Sequence, residues 1–245
     1  YRKLLAEILV ARRDGVRALR TLAQLSSDDP EVLELSARAA LIVGARDTLA
    51  AASEALNARV EAEEDPSVRL QALALTVRVR LGETREELRE VLRDARTLAE
   101  GAPGDVDAGL ALGEAALAAR DARAATEALE RVVAADPDDA EGHFLLGRAK
   151  RMGGDGEGAD EALRRALEIQ PTHSEARVML GYLMLDRGEF EEADELYTEP
   201  GRRGAGSGAR QTQHPVGRRG GRDAAAVRAR LAAGRTLTAT ERDAL

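Results

Sequence analysis

Apolar and helix-breaking residues recur along this chain at a fixed spacing, and that spacing predicts paired helices. Five prolines stand at 30, 66, 103, 137 and 171, at intervals of 36, 37, 34 and 34 residues. Ten residues after the last three come Gly113, Gly147 and Gly181, each preceded by a leucine: Leu112, Leu146 and Leu180. Twenty-two residues after the same prolines come Ala125, Ala159 and Ala193, and one helical turn later Leu129, Leu163 and Tyr197. Self-similarity at this period marks an array of two-helix units. In each unit the Leu-Gly pair sits midway along a first helix, where missing side-chain bulk lets a second helix cross closely. The alanine on the second helix is expected to face that gap, and the large apolar residue to fill the space toward the next unit. Proline then ends the second helix, because it has no backbone donor and disfavours helix in the residue before it. Asp136, Asp138 and Asp139 around Pro137 read as turn and N-cap chemistry.

These residues resemble the tetratricopeptide repeat, a helix-turn-helix unit of 34 residues. Residues 106–139 and 140–173 follow its pattern of Leu-Gly, Ala, large apolar and Pro, and 174–197 follows it until it breaks off. The stretch Arg187-Gly188-Glu189-Phe190-Glu191-Glu192-Ala193 is typical of the turn into the second helix. Towards the amino terminus the pattern departs. Counted from the prolines, the glycine position falls on Ala40 and on Thr76, while Ala52 with Leu56 and Leu88 with Leu92 keep apolar bulk. The longer intervals there predict an extended second helix or exit turn. Ala18 and Leu22 fit a unit whose first residues are missing. The resemblance implies an all-α fold, a right-handed superhelical α-solenoid of such repeats over residues 1–199, with five repeats and a truncated first one. The concave face of a stack of this kind is lined by the first helix of every repeat.

Composition agrees with that class. Hydrophobic residues make up 44% and aromatics only 2%, with no Trp, so the core must be built from Leu, Ala and Val. Ala and Leu are strong helix formers, and the β-branched and aromatic residues that strands favour are thin. No Cys is present, which removes disulfides, thiolate metal sites and cysteine nucleophiles and is tolerated in cytosol and periplasm alike. There is no apolar run of about 18 residues, so no membrane span is expected. A chain that opens at Tyr1 reads as part of something longer. The net charge of -8 is split: residues 200–245 hold ten Arg and three acids, about +7, and the first 199 residues about -15. An acidic body does not fit phosphate-backbone binding.

Candidate chemistry is sparse. His143, His173 and His214 are isolated from one another and read as surface or packing residues, so no metal site is expected. Gly153-Gly154-Asp155-Gly156-Glu157-Gly158 lacks the strand and the Lys-Ser/Thr pair of a phosphate loop, and the distant Glu of a calcium loop, and reads as an interhelix turn. No cofactor, catalytic residue or small-molecule substrate is predicted. Residues 200–222, rich in Gly and Arg, admit three readings: a disordered linker, a reading-frame interruption, or a nucleic-acid-binding tail, the last weakened by the absence of aromatics to stack on bases. Residues 223–245 read as a short helical tail.

Function is expected on the concave face: a non-catalytic scaffold or adaptor for a peptide or protein partner. The alternatives are a docking part of a larger enzyme, such as a kinase or envelope-polysaccharide machinery, and a nucleic-acid-associated protein working through its tail. Counting four, seven, eleven and fourteen residues from each proline places Leu73, Val77 and Arg80 on that face, then Leu110 and Glu114. In the next two repeats the same count gives Glu141, Phe144, Arg148 and Arg151, and then Glu175, Val178 and Tyr182. Phe144 and Tyr182 read as anchors because aromatics are so few, with packing between helices as the alternative for Phe144. The resemblance includes a subset that grips acidic carboxy-terminal peptides of heat-shock chaperones with Lys, Asn and Arg. Asp107, Leu110, Glu114, Glu175, Val178 and Tyr182 occupy those positions here, so that clamp is not expected. The repeat edge around Met179, Leu183 and Leu196 is expected to be apolar and open to self-association.

Overall fold

The computed structural model describes residues 1–26, 29–193 and 196 of the 245. The readings made of residues 200–222 and 223–245 lie outside them. Eleven helices follow one another, and no strand occurs among the described residues. They are α1 (Arg2–Ala11), α2 (Gly15–Leu22), α3 (Pro30–Val43), α4 (Arg46–Ala62), α5 (Val68–Leu81), α6 (Arg85–Gly101), α7 (Val106–Ala118), α8 (Ala122–Ala135), α9 (Ala140–Met152), α10 (Gly156–Ile169) and α11 (Ser174–Asp186). Residues 190–193 are helical as well. One unit, Tyr1–Pro137, holds α1–α8; a second, from Asp138 onward, holds α9–α11. The all-α solenoid of helix pairs expected from the period is thus present.

Odd-numbered helices are the first of each pair and even-numbered the second. In the first unit α3 packs on α1, α2, α4 and α5, and α7 packs on α5, α6 and α8. In the second, α10 packs on α9 and α11. Contacts therefore run between near neighbours, as a stack of small units requires. Each core cluster spans adjoining pairs: Leu33, Ala37 and Ala40 of α3 meet Leu49 and Leu56 of α4 and Leu70 and Val77 of α5. Ala111, Leu112 and Ala115 of α7 meet Ala72 and Leu75 of α5, Val91 and Ala95 of α6, and Ala128 of α8.

The Leu-Gly position works somewhat differently from the sequence expectation. A Cβ on Gly113 would stand 2.6 Å from Leu129 Cγ, and one on Gly147 would stand 2.7 Å from Leu163 Cγ. The gap is filled by the second-helix leucine of the same pair, rather than faced by the alanine alone. Leu129 and Leu163 are completely enclosed there.

Helix ends are specified locally. Nine of the eleven helices are capped by a side chain that accepts a backbone N–H of the first turn: Asp14, Asp29, Ser67, Thr84, Asp105, Asp121, Asp139, Asp155 and His173. The caps of the first helices from α3 onward lie 38, 38, 34 and 34 residues apart. The extra length sits in the second helices, as expected for the longer intervals: α4 and α6 have 17 residues, α8 and α10 have 14.

Four of the six first helices, α1, α7, α9 and α11, end alike. Arg13, Arg120, Gly154 and Gly188 all have left-handed φ, of 56°, 61°, 87° and 79°. Each donates to the carbonyl three residues back, and the next residue to the carbonyl five back, as in Asp121 N to Ala116 O at 2.9 Å. This is a Schellman ending, and the residue after it, Asp14, Asp121 or Asp155, caps the second helix. Arg13 and Arg120 hold a side chain where glycine would be at ease. A left-handed conformation costs an L-residue about 1–2 kcal/mol, part of which glycine returns through its freer unfolded chain. Arg120→Gly should therefore raise stability by about 1 kcal/mol in a urea melt; a lower stability would assign the Arg120 side chain a contact of greater worth.

Two carboxylates tie stability to acid. Glu87 accepts from the N–H groups of Glu83 (2.9 Å) and Thr84 (3.1 Å) in the capping box of α6, and these bonds hold its carboxyl below the ordinary 4.5. Asp29, cap of α3, lies 2.9 Å from Lys3 Nζ, and that bond, with the Glu31 N–H, holds it below 3.8. A depressed folded value means stabilisation that is complete above the unfolded value and lost as pH falls through the folded one. Stability should therefore decline from about pH 4.5 downward, and Glu87→Gln should flatten the decline. An unchanged slope would remove Glu87 as a source.

Candidate protein-interaction surface

The caps supply a better register than the prolines. The ninth residue after each first-helix cap is Arg38, Thr76, Glu114, Arg148 or Tyr182, and none of these is buried. The eighth is Ala37, Leu75, Gly113, Gly147 or Gly181, all buried; the tenth is Ala39, Val77, Ala115, Ala149 or Leu183, also all buried. One position on each first helix from α3 onward thus faces outward between two that face the core. Val77, counted from Pro66 as a surface residue, belongs to the buried row, and Thr76 stands in its place. The reason is that Pro66 directly precedes the cap Ser67, whereas Pro103, Pro137 and Pro171 lie two residues before theirs.

In the first unit, Leu73 is half-buried against the α3–α4–α5 cluster, and Leu110 is half-buried. Arg80 is exposed and reaches Glu114, 3.4 Å away, whose side chain is only 11% exposed. Arg69 lies 3.1 Å from Glu34, which is also 3.8 Å from Arg38. Charges on this face are largely matched between neighbouring first helices.

In the second unit, α9 and α11 bring an aromatic–cation group together. Phe144 is 8% exposed, its ring centroid 4.7 Å from that of His173 and 5.6 Å from the Arg148 guanidinium carbon. His173 is 2% exposed. Its Nδ1 accepts the Ala176 N–H at 3.3 Å, so in the neutral ring Nε2 carries the proton and donates to Glu141 Oε2, also at 3.3 Å. Arg148, Glu175, Val178 and Tyr182 are half-buried, and Glu141 and Arg151 are exposed. Phe144 thus forms the floor of this face, and Arg148, Tyr182 and Arg151 its accessible part. Sequence alone presents His173 as an isolated packing histidine. The signal that could have found its role is its register, two residues after Pro171, where Asp105 and Asp139 stand after the preceding prolines.

Of the C-terminal repeat edge, Leu183 is buried at 7% exposure, and Met179 and Leu196 are half-buried. The glycine-rich segment is a turn, with Gly153 ending α9 and Asp155 capping α10. Among the described residues no group of three or more His, Cys, Asp or Glu is arranged to hold a metal ion, and no helix is long and apolar enough to cross a membrane.

Two sequence profiles of the tetratricopeptide repeat match the chain, over residues 110–173 and 152–210. No curated protein matches the sequence significantly. Among solved structures, TTC0263, a thermophilic TPR protein of Thermus thermophilus, superposes with a TM-score of 0.59 at 20% identity, covering 86% of this chain and all of that one. A double mutant of MamA from RS-1 gives 0.51 at 21% identity, covering 69% of this chain and 90% of that one. A chain of the APC/C hetero-tetramer Cut9-Hcn1 gives 0.56 at 18% identity, with 76% of this chain covering 34% of that one. At such identities the likeness is one of fold. Profile matches, cap register and helix pairing agree: the chain carries tetratricopeptide-repeat sequence over residues 110–210, in a fold of paired helices.

Proposed function

We propose that this protein is a non-catalytic scaffold that holds a protein or peptide partner on the outward stripe of its first helices. Repeats of this family serve in general as protein-interaction modules, which supports the coarse reading. The observation that carries the finer one is the outward ninth position between two buried neighbours, with Arg148 and Tyr182 half-exposed above the enclosed Phe144 and His173. Aromatic and arginine side chains supported by a packed floor are the usual energetic anchors of an interface, each worth about 2 kcal/mol or more on truncation.

The test uses a partner recovered from cell extract, identified by mass spectrometry and purified. Tyr182→Ala and Arg148→Glu should each weaken its binding by about tenfold or more while leaving the melting temperature nearly unchanged. A large loss of stability with binding per folded molecule unaltered would assign both residues to structure alone.

A further inference from the structure

The second helix of the third pair, α6, carries an arrangement that its own fold does not use. Arg85, Arg89, Arg93 and Arg96 follow one another at spacings of four, four and three residues, which puts them on one face of the helix. All four are exposed. At 1.5 Å of rise per residue the row extends about 16 Å. None of the four guanidinium groups has an ion-pair partner among the described residues. Elsewhere several helical arginines are matched one turn away, as in Arg59–Glu63 (2.6 Å), Arg123–Glu127 (2.8 Å) and Arg164–Asp160 (2.6 Å). On α6 itself Glu87 closes the capping box and Asp94 pairs with Arg78. Glu86, Glu90 and Glu100 make no ion pair with the row. Like charges one turn apart weaken a helix, so Arg85, Arg89 and Arg93 gain nothing from one another.

We propose that the α6 arginine row is a second interaction surface, distinct from the first-helix stripe, which takes an acidic helical segment of a protein partner. Carboxylates spaced by four and three residues along a helix repeat at the same rise, about 6 and 4.5 Å, as Arg89, Arg93 and Arg96. Those three arginines with Glu86 and Leu92 border a shallow depression of about 350 Å³, room for side chains of such a helix rather than for its backbone. A single nucleic-acid strand fits less well, because no aromatic residue occurs between 68 and 135 to stack on a base. A bilayer surface fits less well too, since Leu92, the apolar residue beside the row, is half-buried in the α5–α8 cluster.

The experiment compares the full chain with the triple variant Arg89→Gln, Arg93→Gln, Arg96→Gln, and with a control triple Arg17→Gln, Arg20→Gln, Arg123→Gln of equal charge change. The probe is a fluorescent alanine-rich helical peptide with Glu at positions i, i+4 and i+7, followed by anisotropy at low salt. The α6 variant should bind it about tenfold more weakly or worse, the control within about twofold, and the α6 variant should melt no lower than the parent. Equal loss in both triples would reduce the effect to net charge and overturn the proposal. So would a lowered melting temperature in the α6 variant, which would give the arginines a structural role. Tighter binding of an oligothymidylate, or of vesicles containing an anionic phospholipid, through the same arginines would overturn the acidic helix in favour of that partner class.

Discussion

Leu163→Ala is expected to destabilise the protein by about 2–5 kcal/mol in equilibrium urea unfolding. Its side chain is completely enclosed, and it fills the hollow left by Gly147 on the facing helix. Truncation removes the apolar burial and leaves a cavity that the helix pair, held by its capped helix starts, cannot readily close. The converse change tests the same fit from the other side. In an open helix Gly→Ala would be favourable by about 1 kcal/mol. At Gly147 the new Cβ would stand 2.7 Å from Leu163 Cγ and 3.2 Å from the Ala159 carbonyl oxygen, so Gly147→Ala should destabilise by about 1–3 kcal/mol. Combined, the two substitutions should cost clearly less than their sum, because the truncated leucine makes room for the added methyl. Gly101→Ala is the internal control: no atom lies within 4 Å of a Cβ there, and stability should rise. Strict additivity of the pair, or a stabilising Gly147→Ala, would refute the knob-and-hollow description of these repeats.

Phe144→Ala should be as damaging, at about 3–5 kcal/mol. The ring is 8% exposed and touches both the His173 imidazole and the Arg148 guanidinium. Its loss strips the apolar cover from His173, whose ring caps α11 through Ala176 and reaches back to Glu141. The cost therefore includes a loosened helix start as well as a cavity. Tyr182→Ala, on the half-exposed stripe above, should cost far less. A Phe144→Ala protein that melts like the parent but binds its partner poorly would return Phe144 to the role of anchor.

Much of this is legible in the sequence, and each miss has its own physical cause. The fold follows from the Leu-Gly, Ala and Pro register, because only a repeated helix pair sets the same requirement for small and large side chains every 34 residues. The extra length in the amino-terminal repeats is legible as well, and it lies in α4 and α6. What fails is the use of proline as the ruler. Proline fixes where a second helix stops, whereas the residue that accepts the first N–H groups fixes the phase of the next helix. Where Pro66 moves one residue closer to its cap, the count slides by one and lands on Val77 instead of Thr76. One residue is about 100° of helix, enough to exchange core for surface. His173 escapes the sequence reading because an imidazole is an uncommon cap and its type directs attention to metals rather than to register. The role of Leu129 and Leu163 against the glycines cannot be read from spacing, since it depends on how two helices cross.

The most direct test of the proposed function is photo-crosslinking from single positions of the intact chain. A crosslinking residue at 148 or 182 should capture the purified partner, and one at 161, exposed on the second helix α10, should not. Capture from 161 with none from 148 or 182 would contradict binding on the first-helix stripe.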